Sequence, residues 1–156
     1  MLAFAANSLL CREALRGGSV DAVSFTAIRT ASAAAMLVLL LFLRDRRWTL
    51  GGSLSMTVML FVYMVGFSLA YISLSAATGA LLLFGAVQLT MFARALATGE
   101  RLSRLAWFGL ALALVGLGVL LLPGVTAPEP GGAALMVLAG AAWGIYSLLG
   151  RSQADP

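Results

Sequence analysis

The sequence predicts an all-α fold, a polytopic membrane helix bundle of about six transmembrane helices with the first truncated. Three observations carry that expectation. Hydrophobic residues make up 62% of the 156 and charged residues only 10%, against roughly 25% charged in a soluble domain. Sixteen charges cannot cover the surface of a water-soluble protein of this size, so lipid must be the solvent for most of the chain, in keeping with a mean hydropathy of +1.02. The apolar runs are long: 46 residues without a charge separate Arg47 from Arg94. Finally, all ten basic residues are Arg and most sit between those runs. That is the pattern of topology signals, so the net charge of +4 does not point to nucleic acid.

The elements follow in chain order. Met1 to Cys11 is too short to cross a bilayer and reads as the second half of a helix whose start is missing. A signal peptide is the rival, weakened because no basic segment precedes the apolar stretch and no soluble domain follows it. Asp21 is a plausible N-cap for a helix from about Ala22 to Leu43, interrupted only by Arg29. The uncharged run after Arg47 would be roughly 69 Å long as one helix, about twice a bilayer core, and must fold back. The turn falls in Ser73–Gly79, giving helices from about Leu54 to Leu74 and Thr78 to Ala97. A further span from about Leu105 to Leu122 stops at Pro123-Gly124. Pro128, Pro130, Gly131 and Gly132 then lead into a span from about Ala133 to Leu149.

Arg placement gives an orientation. Arg44, Arg46, Arg47, Arg94, Arg101, Arg104 and Arg151 fall on one side, and Arg12 and Arg16 on the other. Seven against two places the Arg-rich loops in the cytoplasm of a bacterial cell, with the protein in the inner membrane. Arg without any Lys, with abundant Ala and Gly, hints at a GC-rich bacterial genome.

A partial repeat appears when the chain is slid by 139 residues. Ser8-Leu9-Leu10-Cys11-Arg12 lands on Ser147-Leu148-Leu149-Gly150-Arg151, and Phe4 lands on Trp143. Chance is one explanation in so Leu-rich a chain. The other is that helix 6 opens a second copy of the unit that helix 1 opened. Five helices separate the two starts, so the second copy would enter the membrane from the opposite side, as in the inverted repeats of secondary transporters. On that reading residues 1–123 form a first five-helix repeat and 131–156 the first helix of a second, truncated one. The 156 residues are then about half of a ten-helix protein.

Several segments resemble one family. They are Asn7–Arg12 ending helix 1, Asp21–Arg29 opening helix 2, Tyr71–Leu83 across the turn between helices 3 and 4, and Gly109–Gly116 in helix 5. The most specific is Gly99-Glu100-Arg101-Leu102-Ser103, placed between the fourth and fifth spans. Together they make the chain similar to an EamA-type member of the drug/metabolite transporter superfamily. The resemblance implies a ten-helix transporter of small metabolites such as amino acids, frequently an exporter, working by alternating access. The chain departs from the pattern in lacking the start of helix 1 and four of the five second-half helices.

Arg29 is the only charge well inside a span, roughly 12 Å past Asp21 along the helix. Placing it there costs roughly 2.5–3.5 kcal/mol on insertion scales. It either binds an anionic group of a substrate, or serves as an anchor that snorkels or bonds helix carbonyls. Toward the bundle it is expected on the side of Gln88. The face through Phe25, Met36, Leu39, Leu40 and Phe42 would then meet lipid or apolar packing. Gln88 and Asn7 have two readings each, an interhelical hydrogen bond or the orientation of a polar substrate. Tyr63, Trp143 and Tyr146 supply aromatic surfaces with polar handles for the same candidate site, and Tyr71 reads as an interfacial anchor. Gly79 and Ala86 in helix 4, Gly109, Ala113 and Gly116 in helix 5, and Gly140 and Gly144 in helix 6 form small faces suited to close helix packing. Glu100 and Arg101 read as a helix-end ion pair or cap, or as part of a gate.

The absent groups also decide something. There is no His and one Cys, Cys11, so His/Cys zinc sites, Ser-His-Asp triads and intrachain disulfides are excluded. No carboxylate lies deep in a span to relay protons, and no nucleophile-and-base or metal-ligand cluster supports an enzyme. The expected partners are the bilayer, a small-molecule substrate, and either the missing second half or a second copy. No metal, cofactor or nucleic acid is expected. The alternative function is a non-transporting truncated membrane module or assembly partner.

Overall fold

The computed structural model describes residues 2–16, 20–44, 53–121 and 128–154. These form six helices: α1 (Leu2–Arg16), α2 (Ala22–Leu43), α3 (Leu54–Ser73), α4 (Ala76–Ala97), α5 (Arg104–Leu121) and α6 (Pro130–Ala154). Four of them, α2, α3, α4 and α6, are long and apolar enough to cross a membrane. Among the described residues α1 has 15 residues and α5 has 18, with a shorter apolar stretch at Arg104–Val119. The expected stop at Pro123-Gly124 and the loop holding Arg46 and Arg47 lie outside the described residues.

Local chemistry fixes several boundaries. The Asp21 carboxylate accepts from the Val23 and Ser24 amides, both at 3.0 Å, and starts α2. Ser75 starts α4 by accepting from the Thr78 amide at 3.1 Å. α4 ends in a Schellman motif: the Gly99 amide donates to Leu96 O and the Glu100 amide to Ala95 O. Gly99 has a φ of 77°, which explains the glycine. Ser103 then accepts from the Ala106 amide at 3.2 Å and starts α5. The Gly-Glu-Arg-Leu-Ser segment is thus a helix stop followed by a helix start. α6 begins three residues earlier than the sequence suggested, because Pro130 suits the first helical position and Glu129 caps the Gly131 and Gly132 amides.

α6 is embedded between α3 and α4. It runs antiparallel to α3: Glu129 accepts from Ser73 Oγ at 3.2 Å, Gly66 faces Leu135 and Ala139, and Tyr63 meets Trp143. It runs parallel to α4, with Gly140 against Leu83 and Ala86 and Gly144 against Thr90. Two small residues four apart thus meet two others four apart, the geometry that lets backbones approach closely. A Cβ on Gly140 would lie 2.6 Å from both the Ala86 Cβ and the Leu83 carbonyl oxygen.

The other small faces behave differently from expectation. Gly79 accommodates the Tyr71 ring, whose Cζ would stand 2.7 Å from an added Cβ. In α5, Gly109 and Gly116 have nothing within 4 Å of an added Cβ among the described residues, and Ala113 is exposed. The packing of α5 is carried instead by Leu117, which reaches Gly85 of α4. Tyr71 is not an interfacial anchor. It is fully buried, meets Phe67 edge-on at 4.8 Å, and its hydroxyl donates to the Ala76 carbonyl, closing the α3–α4 turn. Arg12 lies within α1 and donates to the Tyr71 and Ile72 carbonyls at 2.8 and 2.9 Å. A cation there satisfies the open carbonyl end of α3.

Two consequences can be measured by thermal unfolding. Gly140→Val should cost about 1–3 kcal/mol through overpacking. Gly109→Ala, with open space and a gain in helix propensity, should be neutral or stabilising by up to about 1 kcal/mol. Glu129 behaves as a pH-dependent cap. The Gly132 and Gly131 amides, then the Ser73 hydroxyl, hold its carboxyl below the ordinary value of 4.5. A lowered folded-state pKa contributes stability above the ordinary carboxylate range and loses it as pH falls through the lowered value. Wild type should therefore melt higher than Glu129→Gln near about pH 6, and the two should converge near about pH 3. A gap that stays constant across this range would remove the cap from the account.

Candidate functional site

Capping by Asp21 sets the helical phase of α2, and that phase turns Phe25 and Arg29, one turn apart, toward α3. Arg29 Nη2 donates to the Met64 carbonyl at 3.2 Å, to Met64 Sδ at 3.3 Å and to Ser68 Oγ at 3.4 Å. Its Cζ lies 5.6 Å from the Phe25 ring centroid and 5.2 Å from that of Phe67, both within cation–π range. Ser68 is buried and spends its own hydroxyl proton on the same Met64 carbonyl at 3.0 Å. The Nε of Arg29 is buried with no hydrogen-bond partner among the described residues. The guanidinium therefore points into the α2–α3 seam, inward but not on the expected side of Gln88, held by weak acceptors and π faces rather than, among the described residues, by a carboxylate.

From Phe67 a ladder of rings crosses to α6. Phe67 and Tyr63 are 5.4 Å apart, Tyr63 and Trp143 4.8 Å, and Trp143 and Tyr146 5.5 Å. Arg29, Tyr63, Trp143 and Tyr146, proposed separately from the sequence, thus become one chain of contacts. Sequence reasoning missed Phe67 and Ser68, which connect them, and put Phe25 on a different face from Arg29, whereas it packs on the core on the same face. The signal was available: Tyr63, Phe67 and Tyr71 recur every four residues, one stripe of a helix.

Two candidates stand apart. Asn7 is half-buried on α1, one turn before buried Cys11, and makes no hydrogen bond with a described residue. Gln88 is not beside Arg29. It is exposed on α4 and lines a separate cavity of about 220 Å³ with Arg94, Glu100 and Arg151. The reason is phase: Ala86 and Thr90 take the α4 face that meets α6, which turns Gln88 away from it.

No protein-family model matches the chain, and no solved structure matches it. The uncharacterized protein PA1977 of Pseudomonas aeruginosa is 57% identical over 157 aligned residues, which cover all of this chain and 55% of that protein. The chain spans about half the length of the curated relative it matches.

The ladder makes Phe67 the junction of the site. Phe67→Leu keeps an apolar side chain but removes the π face that Arg29, Tyr63 and Tyr71 share. Unfolding should show a loss of roughly 1–3 kcal/mol, with Tyr146→Phe close to neutral. Equal effects of the two substitutions would deny Phe67 that role.

Proposed function

We propose that this chain is one half of an EamA-type transporter, an exporter of small polar metabolites such as amino acids that works by alternating access in a bacterial inner membrane. The observation that carries the proposal is Arg29: a guanidinium one-third of the way along an apolar helix, drawn into the bundle, with no carboxylate partner among the described residues. A charge kept at that depth is the expected mark of a substrate pathway. The anionic group of a substrate supplies the missing partner, and the rings of Tyr63, Trp143 and Tyr146 supply a surface for the rest of it.

Three further observations support the reading. α1 and α6 both pack on α3 and α4, yet α1 ends where α6 begins, at the Ser73 end of α3. Arg12 and Arg151 of the repeated Ser-Leu-Leu-x-Arg segment thus lie at opposite ends of the bundle, which supports an inverted repeat. The length of PA1977, about 285 residues from 157 aligned at 55% coverage, leaves room for four more spans. Arg44, Arg94, Arg101, Arg104 and Arg151 gather at the end that the positive-inside rule assigns to the cytoplasm.

Counterflow tests the function. Proteoliposomes holding the full natural chain and loaded with unlabelled amino acids should take up a ¹⁴C-labelled amino acid mixture. Arg29→Ala should reduce the rate roughly tenfold or more, the scale of a lost charge-assisted contact. Arg29→Lys should keep part of it if charge suffices, and little if a bidentate carboxylate is held. Absence of counterflow by the wild type, or full activity in Arg29→Ala, would sink the proposal. Single cysteines near Asp45 and Gly99, in a Cys11→Ser background, should resist an impermeant maleimide applied to intact cells. Labelling of either would reverse the orientation.

A further inference from the structure

The cavity at the Arg-rich end has a composition that the Arg29 site does not explain. It lies between the C-terminal turns of α4 and α6 and the residues joining α4 to α5. Four polar side chains line it: Arg94, Arg151, Glu100 and Gln88. None of the four has a hydrogen-bond or ion-pair partner among the described residues. The Glu100 amide is spent on the Schellman motif, which fixes the backbone and leaves the carboxylate free at the rim. The helix-end ion pair expected for Glu100 and Arg101 is absent among the described residues. Gln88 lies nine residues before Ala97, roughly 13 Å down the helix, so the lining is polar at depth as well as at the rim. Met91, Phe92 and Leu148 supply apolar walls.

Resting on the transporter reading above, we propose that this cavity is an entrance site for a zwitterionic α-amino acid with an apolar side chain. Its carboxylate is held by Arg94 and Arg151, its ammonium by Glu100, and its side chain lies against Met91, Phe92 and Leu148. The selectivity comes from opposition. A plain anion would bring its charge beside Glu100, and a plain cation beside two guanidiniums, so each is disfavoured by a group that welcomes the zwitterion. A volume of about 220 Å³ suits a free metabolite, below the roughly 300–1,000 Å³ of pockets for drug-sized ligands. A phospholipid headgroup would share the charges, but its acyl chain would run past the Gln88 amide, so the polar depth favours the free amino acid.

Calorimetric titration of the full natural chain in phosphatidylcholine nanodiscs decides this with three probes. They are L-leucine, isocaproate, which lacks the ammonium, and isoamylamine, which lacks the carboxylate. Leucine should bind roughly three- to tenfold more tightly than either, the range for partly exposed charge contacts. Glu100→Gln should lower leucine to the affinity of isocaproate without weakening isocaproate, and Glu100→Asp should restore part of the difference. Arg94→Gln with Arg151→Gln should lower leucine to the affinity of isoamylamine. These side chains are exposed, so melting temperatures should not change, and a probe-specific loss at constant melting temperature separates recognition from folding. Leucine bound with this charge pattern by a chain that shows no counterflow supports the site and removes the transport reading. Equal affinity for the three probes, or leucine binding that survives all these substitutions, overturns the site and leaves the transport reading to stand on Arg29. Leucine binding seen only when the nanodiscs lack phosphatidylethanolamine assigns the cavity to a lipid headgroup and overturns it too.

Discussion

The close approach of α6 to α4 at Gly140 and Gly144 sets the register of everything else. Lipid offers two apolar helices no hydrophobic reason to associate, so van der Waals contact at short range has to hold them. Ala86 and Thr90 fill the space that larger side chains on α6 would need. On its other side α6 presents Ala139 to Gly66 of α3. A helix fixed on two sides by small residues has no freedom to slide by a turn. Trp143, one turn beyond Ala139, is consequently brought to Tyr63, and the aromatic ladder toward Arg29 follows.

Several helix limits are set by chemistry within a few residues and so were legible. Asp21, Ser75, Gly99 and Ser103 act on amides or carbonyls one turn away, and the α2 limits agree with the expected Ala22 and Leu43. The small faces were legible as composition but not as partners. Gly140 and Gly144 look no different in the sequence from Gly109 and Gly116, yet only the first pair meets another described helix. Which small stripe is used depends on the rotation of two helices about their axes, and that is a long-range property. Tyr71 shows the same limit. Its position near a helix end suggested the interface, but Gly79, eight residues later, provides the space that draws the ring inward.

Gln88 and Arg29 illustrate how sequence alone can join polar groups that the fold separates. Both are polar exceptions in apolar helices, which invites pairing. The phase of α4 is already committed by Ala86 and Thr90, however, so Gln88 turns to the cavity it shares with Arg94, Glu100 and Arg151. Arg29 is committed by Asp21 and Phe25 to the opposite neighbour, α3. The two polar features therefore lie apart, Gln88 on the side of α4 turned away from the small-residue contact and Arg29 in the α2–α3 seam.

The α4–α6 and α2–α3 contacts differ in how readily they could part. α4 and α6 meet backbone to backbone through Gly140, and parting them would open a void that no side chain can fill. α2 is fastened to α3 by Phe25 and by Arg29 contacts of 3.2–3.4 Å, one of them to a Met64 carbonyl that Ser68 also uses, while Leu37 to Leu43 of α2 are exposed. A guanidinium has five donors, and a carboxylate accepts two of them in parallel more strongly than a carbonyl already bonded to Ser68. On the transporter reading, an anion arriving at Arg29 therefore competes with the very groups that bind α2 to α3. Substrate recognition and the loosening of that seam then depend on the same Nη2 group, whereas the α4–α6 pair keeps its register throughout.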